Sequence, residues 1–346
     1  MQPAGRRKFL GIVVGLGGAA VMAGLGRSFF KHRLVTNPNT PPALEGLATA
    51  YRRTWALGSE MSITALHARR AVAETAIDAA LEELKLVQRE LSIFDADSQV
   101  ARLNSCGRLD DPHPLLLQTL QLSSDLSQQT NGAFDISVQP LWDMYAEADK
   151  AGKRPDDGQI ETARRLVGWQ DVDFSDQRVR LARPGMGITL NGIACGLAAD
   201  RVVSALTSHG IEHALVNTDE IVSLGDKEPG RPWTAGVQHP RHPEACIAMM
   251  ALDGRAVATS GDYETKFFND YDTNHIFDPA TGRSPLQLAS ATVACPRCID
   301  ADGLSTALFV LGPEKGMKFL AGLPRTDCLM VLKNGQVLAS KGFPKA

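Results

Sequence analysis

The chain has 346 residues, 44% of them hydrophobic and 22% charged, the balance of a globular protein with a sizeable core. A formal net charge of −3, with Lys and Arg scattered except at the N-terminus, leaves no basic stripe for a phosphate backbone. Aromatic residues at 6% are too few for base-stacking platforms, so no nucleic-acid partner is expected.

Residues 1–30 read as a twin-arginine signal segment, in which Arg6 and Arg7 precede Lys8-Phe9-Leu10 and a glycine-rich apolar run. The stretch from Phe9 to Gly26 is near the shortest length that spans a bilayer, but its glycines make it weakly hydrophobic. Export of the folded protein to the periplasm through the twin-arginine machinery is therefore expected, with an uncleaved inner-membrane anchor as the alternative. Residues 31–48, "KHRLVTNPNTPPALEGLA", read as a Pro-rich linker, and residues 49–346 as one continuous domain without internal repeats.

"SEMSITAL" is strand-like and leads into an amphipathic helix on which Ile77, Leu81, Leu84 and Leu91 share one face. "LVQRELSIFDADSQVARLNSCG" leaves that helix through a polar turn. A second helix, "LLLQTLQLSSDLSQQTNG", stops at Asn131-Gly132, and "AFDISVQPLW" follows as an irregular, partly extended loop. Ile188-Thr189-Leu190 reads as a strand broken by Asn191-Gly192. Gly192 and Gly196 then flank a turn that opens a helix running to Ser208, stopped by His209-Gly210 and followed by the strand "HALVN". A strand-to-helix turn of this kind offers free N–H groups and a positive helix end to a phosphate. Its glycines equally suit close packing.

"AVATSGDYETKFF" and the opening stretch read as paired β segments. In "NHIFDPATGRSP", Asp278-Pro279 and Thr281-Gly282 are turn formers, and His275 stands at the mouth of that stiff corner. It is either a proton acceptor beside a cleft or an incidental surface residue. "IDADGLSTALFVLG" reads as a helix on which Asp302 and Thr306, four apart, point to one side. A carboxylate and a hydroxyl so placed can share a hard cation such as Mg²⁺, or the Asp can serve the helix dipole. Six cysteines do not make a disulfide scaffold in so long a chain. Cys295 and Cys298 form C-P-R-C without the second pair a zinc site needs, which leaves a local disulfide or two inert thiols.

Taken in order, "LGSEMSI", "DSQVARLN", "TNGAFDISVQPL", "LNGIACGLAADR", "ATSGDYE", "HIFDPATGRSP" and "DADGLSTALFVLG" make roughly residues 55 to 315 resemble the ApbE family of flavin transferases. The resemblance implies an α+β, T-fold-related single catalytic domain with an antiparallel sheet and flanking helices. It implies transfer of FMN from FAD to a Thr or Ser hydroxyl of an acceptor protein, with release of AMP and dependence on Mg²⁺. A non-catalytic FAD-binding protein and an FAD pyrophosphatase are the alternatives. Carried over by position, the metal falls on Asp302, Thr306 and the Ala194 carbonyl, and proton transfer on His275. Gly58, Ser59, Phe134, Asp135, Gly192, Cys195, Glu220, Ser260, Gly261 and Asp262 fall on the flavin site. Two positions depart from the family pattern. Cys195 stands in "GIACG" where a lysine is common, and "NTDE" replaces "NLGGD", with Asp219 or Glu220 as the replacement acid. The "LNGIAxG" form with a nearby Glu is similar to the NosX-like branch tied to nitrous-oxide respiration, whose members serve maturation of a membrane flavoprotein.

Overall fold

A computed structural model describes residues 46–344. The signal segment and most of the predicted linker lie outside the described residues.

The first hairpin joins β1 (Ala48–Ala56) to β2 (Ser59–His67) in register from Ala48↔His67 to Ala56↔Ser59. Alternation on β2 turns Met61, Ile63 and Ala65 inward, as a half-buried strand requires. Helix α1 (Arg70–Leu91) lays Ile77, Leu84 and Leu91 on that face, with Leu81 only partly buried. The polar turn that follows leads into α2 (Gln99–Cys106), capped by the Ser98 side chain and ended by Gly107 at φ 69°. A short strand, β3 (Arg108–Asp110), precedes α3 (Pro114–Gln129), which stops at Asn131 and Gly132, both left-handed as expected. The segment predicted as a loop at "AFDISVQPLW" is instead a 3₁₀ turn over Ile136–Val138 running into α4 (Gln139–Lys150). Asp135 caps that turn, and Pro140 sits in the first helical turn, where its missing N–H costs nothing.

After α5 (Asp157–Arg164), β4 (Val172–Phe174) and β5 (Arg178–Leu181) come residues 188–190, which are extended but not a strand. The Asn104 side chain takes the place of a neighbouring strand. Its Oδ1 accepts from Ile188 N–H at 2.7 Å and its Nδ2 donates to Ile188 C=O at 2.7 Å, while Thr189 N–H donates to Ile136 C=O. Helix α6 (Ala194–Ser208) and strand β6 (His213–Asn217) follow as predicted. The chain continues through β7 (Ile221–Leu224), β8 (Asp226–Glu228), β9 (Arg231–Pro232), β10 (Thr234–His239), β11 (His242–Ala251), β12 (Ala256–Gly261), β13 (Leu288–Cys295), α7 (Cys298–Leu320), β14 (Asp327–Leu332) and β15 (Val337–Ala339).

Eight strands form one antiparallel sheet in the order β1-β2-β6-β7-β12-β13-β14-β15. The predicted pairing of "AVATSGDYETKFF" with the opening stretch is corrected here: β12 lies in mid-sheet between β7 and β13, and β1 pairs with β2. Pairing across the chain carries no local signal, whereas a hairpin does. Helices α1, α6 and α7 cover one face. The β10–β11 hairpin covers part of the other, packing Trp233, Val237 and Met250 over Ile221, Val257, Ala289 and Val331. Sandwiched between these layers, β13 is buried at every residue. The result is an α+β fold with an antiparallel sheet and flanking helices.

Candidate active site

One end of the sheet gathers the predicted residues. Ser62 pairs with Asn217, Asn217 with Ile221, and Ile221 with Val257. The β1–β2 turn with Gly58, the β6–β7 turn with Glu220 and the C-terminal end of β12 with Ser260 therefore open in the same direction. Thr218 Oγ1 donates to Cys195 C=O at 3.0 Å and ties the β6–β7 turn to the start of α6.

Helices α6 and α7 cross over this end by their N-terminal turns, antiparallel, each capping the other. Asp302, on α7, accepts from Gly196 N–H on α6 at 2.9 Å. Asp200, on α6, accepts from Cys298 and Ile299 N–H on α7 at 2.9 and 3.0 Å. Each carboxylate thus answers orphan donors and the positive end of the opposite helix. The crossing is close because residue 196 has no side chain: a Cβ there would run into the Cys298 carbonyl and stand 2.8 Å from Asp302 Cβ.

Thr306, one turn beyond Asp302, places Oγ1 3.1 Å from Ser260 Oγ, which in turn lies 2.7 Å from Ser305 Oγ. A Cβ on Gly192 would stand 3.1 Å from Thr306 Oγ1 and 3.5 Å from the Phe134 ring, so the turn before α6 passes directly over the hydroxyls. Gly192, Ala194, Cys195, Phe134, Ser260, Asp302 and Thr306 are thus brought together from segments far apart in the chain. Gly58 marks the rim, left-handed at φ 88° and packed on the Phe94 ring. Beside it, Ser59 Oγ is buried and has no hydrogen-bond partner among the described residues.

Two predicted residues turn out to be bound by the protein's own groups. Asp135 accepts from Ser137 N–H and Oγ–H and from Trp169 N–H, and burial pushes its carboxyl above the ordinary range. Asp262 is fully buried and binds both terminal nitrogens of Arg241, at 2.7 and 2.8 Å. Burial drives its carboxyl up, against the opposing pull of Arg241 and Lys333. These carboxylates are committed inside the protein.

His275 stands on an irregular hairpin that leaves β12 immediately after Ser260-Gly261. Lys266 bridges Asn274, Phe267 N–H donates to Thr273 C=O, and His275 N–H donates to Thr265 C=O at 3.1 Å. His275 Nδ1 lies 3.4 Å from the same carbonyl. A carbonyl can only accept, so a hydrogen bond here requires the proton on Nδ1. Beyond it the corner is as stiff as its sequence implies: Asp278 Oδ1 accepts from Ala280 N–H, Gly282 (φ 69°) N–H donates to Asp278 C=O, and Asp278 bridges Arg283.

The buried acids also explain the cysteines. Cys298 is pushed well above its ordinary pKa, chiefly by burial and then by the charges of Asp200, Glu220 and Asp302, while burial takes Cys295 to about 12. Both are free thiols. Oxidative chemistry needs a thiolate, which this environment suppresses.

Among the described residues no three His, Cys, Asp or Glu side chains group to hold a metal ion. Asp302, Thr306 and the Ala194 carbonyl offer hard oxygen donors beside buried negative charge. Such a set suits Mg²⁺, which completes its shell with water and substrate phosphates rather than an all-protein cage. Asp200, Ser305 and Arg241 escaped the sequence reading. The signal for the first was present, since both helices carry an acid within their first two turns.

Fold and site define a class: an α+β protein whose central antiparallel sheet ends beside two helix N-termini that cap each other. The chain belongs to the ApbE family, whose model matches residues 57–330. It is 32% identical over 272 residues to the FAD:protein FMN transferase of Vibrio cholerae, covering 75% of this chain and 79% of that protein. It is 31% identical over 251 residues to the FAD:protein FMN transferase of Haemophilus influenzae, covering 68% and 72%. The crystal structure of the ApbE protein from Thermotoga maritima superposes with a TM-score of 0.78 at 29% identity, covering 86% of this chain and 100% of that one. The apo flavinyl transferase ApbE of Pseudomonas stutzeri gives 0.74 at 29% identity, covering 86% and 96%.

Proposed function

We propose that the chain is an FAD:protein FMN transferase: it moves the FMN moiety of FAD onto a Thr or Ser hydroxyl of an acceptor protein and releases AMP. The supporting observation is the convergence of Asp302, Thr306, Ser260 and the Gly192–Gly196 turn at one end of the sheet. In the reaction the bond from the FMN phosphorus to the bridging oxygen breaks, and a bond from that phosphorus to the acceptor oxygen forms. The bridging oxygen leaves with AMP and takes the electron pair. Asp302, Thr306 and the Ala194 carbonyl would hold Mg²⁺, which when bound neutralises charge growing on the leaving phosphate. The N-terminus of α6 directs its dipole at the same charge. Cys195, in place of a lysine, adds no cation, so the metal and the helix end carry that burden.

An acceptor hydroxyl is a weak nucleophile. His275 Nε2 takes its proton as the new bond forms, an assistance of about 10²–10⁴-fold. This role needs the tautomer with its proton on Nδ1, and Thr265 C=O, 3.4 Å away, is the acceptor that supports it. Gly58, Ser59, Phe134, Ser260 and Gly261 form the walls that receive the flavin, Asp262 anchors that segment through Arg241, and Glu220 closes the side where "NTDE" replaces the glycine turn.

The Arg6-Arg7 pattern supports action in the periplasm after twin-arginine export. The "LNGIAxG" form supports a role in maturing a membrane flavoprotein of nitrous-oxide respiration. Purified protein incubated with FAD, Mg²⁺ and a Thr-bearing acceptor domain tests the chemistry. AMP release, with flavin fluorescence on the acceptor surviving denaturation, is expected. Free FMN formed equally without acceptor would make the chain a pyrophosphatase, and FAD retained with no AMP would make it a carrier.

A further inference from the structure

His275 lies on no regular element, yet a base must be held to a fraction of an ångström. From one side the hairpin is gripped by an aromatic cluster: Phe267 and Phe277 stack on Tyr145 of α4 with ring centroids 5.8 and 5.1 Å apart. The other side is polar and centres on Arg241 in the β10–β11 turn. His239 Nδ1 accepts from the N–H groups of both Arg241 and His242, which tightens that turn and fixes where residue 241 starts. The guanidinium forks onto both oxygens of fully buried Asp262, at the end of β12. Its Cζ lies over the Tyr271 ring, 3.7 Å from the centroid, near the tip of the hairpin. Tyr271 C=O accepts from Lys333 Nζ at 2.7 Å and from Asn274 Nδ2 at 3.2 Å. Asn274, the residue before His275, is completely buried, and its Oδ1 accepts from Ile276 N–H on the far side of the histidine.

An unbroken chain of contacts therefore runs Asp262, Arg241, Tyr271, Asn274, His275. We propose that Arg241 is a positioning residue for flavin transfer: forked onto Asp262 and stacked on Tyr271, it fixes the hairpin that presents His275 to the acceptor hydroxyl. The inference rests on the transferase reading and on His275 as its base. A lysine would keep the charge but could neither fork across both carboxylate oxygens nor lie flat on the ring. Arg241 thus joins the β10–β11 turn to the end of β12 by an ion pair and to the tip of the hairpin by a ring contact.

The test is a double-mutant cycle in the full chain with FAD, Mg²⁺ and a Thr-bearing acceptor domain. Arg241→Ala should lower kcat by about 10²-fold, the scale of a misplacement near 1 Å, while the dissociation constant for FAD stays within about twofold. Arg241→Lys should recover part of the rate, and added guanidinium should partly rescue Arg241→Ala. Tyr271→Leu leaves the buried ion pair intact and keeps the test decisive should Arg241→Ala fold poorly; it should show the same loss in kcat alone. In a His275→Ala background either change should have no further effect, because the residue being positioned is gone. Multiplicative losses in that background, or weakened FAD binding with kcat unchanged, would overturn the proposal. A wild-type chain that transfers no flavin, or a His275→Ala variant at full rate, would instead overturn the function on which it rests.

Discussion

The two halves of the site are built by different means. In the half we assign to phosphate, two helix starts cross at a glycine, each capped by an acid from the other, under a sheet whose turns supply the remaining wall. The half we assign to proton transfer is a short irregular hairpin held by an aromatic cluster on one side and an arginine clamp on the other. Regular elements fix charge-stabilising groups cheaply because the same hydrogen bonds that form the helices aim their ends. A base that must meet an incoming protein segment is carried here on a half-buried irregular hairpin, whose position depends on distant side chains.

The largest effect should come from the phosphate half. Asp302→Ala removes the one carboxylate of the cation set, and transfer should fall below detection. With FAD present, the thermal midpoint of the wild type should rise on adding Mg²⁺, and that of the variant should not. His275→Ala, in the other half, should lower transfer by about 10²–10⁴-fold and leave FAD binding and the Mg²⁺ response untouched. A variant losing both would merge the two halves into one.

Gly196→Ala sharpens the contrast in stability. Its Cβ would meet the Cys298 carbonyl, so the helices must part, at about 1–3 kcal/mol by denaturant titration. A smaller effect is expected at Asp135, whose carboxyl burial holds above its ordinary 3.8. A carboxyl raised on folding gives its full contribution below that value and loses it as pH rises through the folded pKa. Asp135→Asn does not titrate, so in urea midpoints the variant should gain on the wild type as pH rises from below 3.8 through the raised pKa of the folded carboxyl. An unchanged difference would mean the carboxylate is already well compensated by Ser137 and Trp169.

The same contrast governs what could be read from the sequence. Helix α6 was legible because Gly192 opens it and His209-Gly210 closes it, and Asp302 and Thr306 were legible because i, i+4 spacing is a local fact. The spacing alone could not choose between a cation and a helix dipole. In the structure Asp302 does cap a helix, but the one it caps is α6 rather than its own. Residues 188–190 look like a strand since they are extended and apolar, yet their partner is the side chain of Asn104, which no periodicity reveals. The mid-sheet position of β12 and the fork from Arg241 to Asp262 were likewise hidden, because both join segments that only the finished sheet brings together. Family resemblance supplied the role of His275; its neighbours in the sequence showed only that the corner after it is rigid.

The most direct measurement is intact-protein mass spectrometry of a Thr-bearing acceptor after incubation with this chain, FAD and Mg²⁺, with nucleotide products read alongside. An acceptor heavier by one phosphate-linked FMN, with one AMP released for each, is the predicted result. AMP appearing with the acceptor mass unchanged, or a labelled acceptor when Asp302 is Ala, would contradict it.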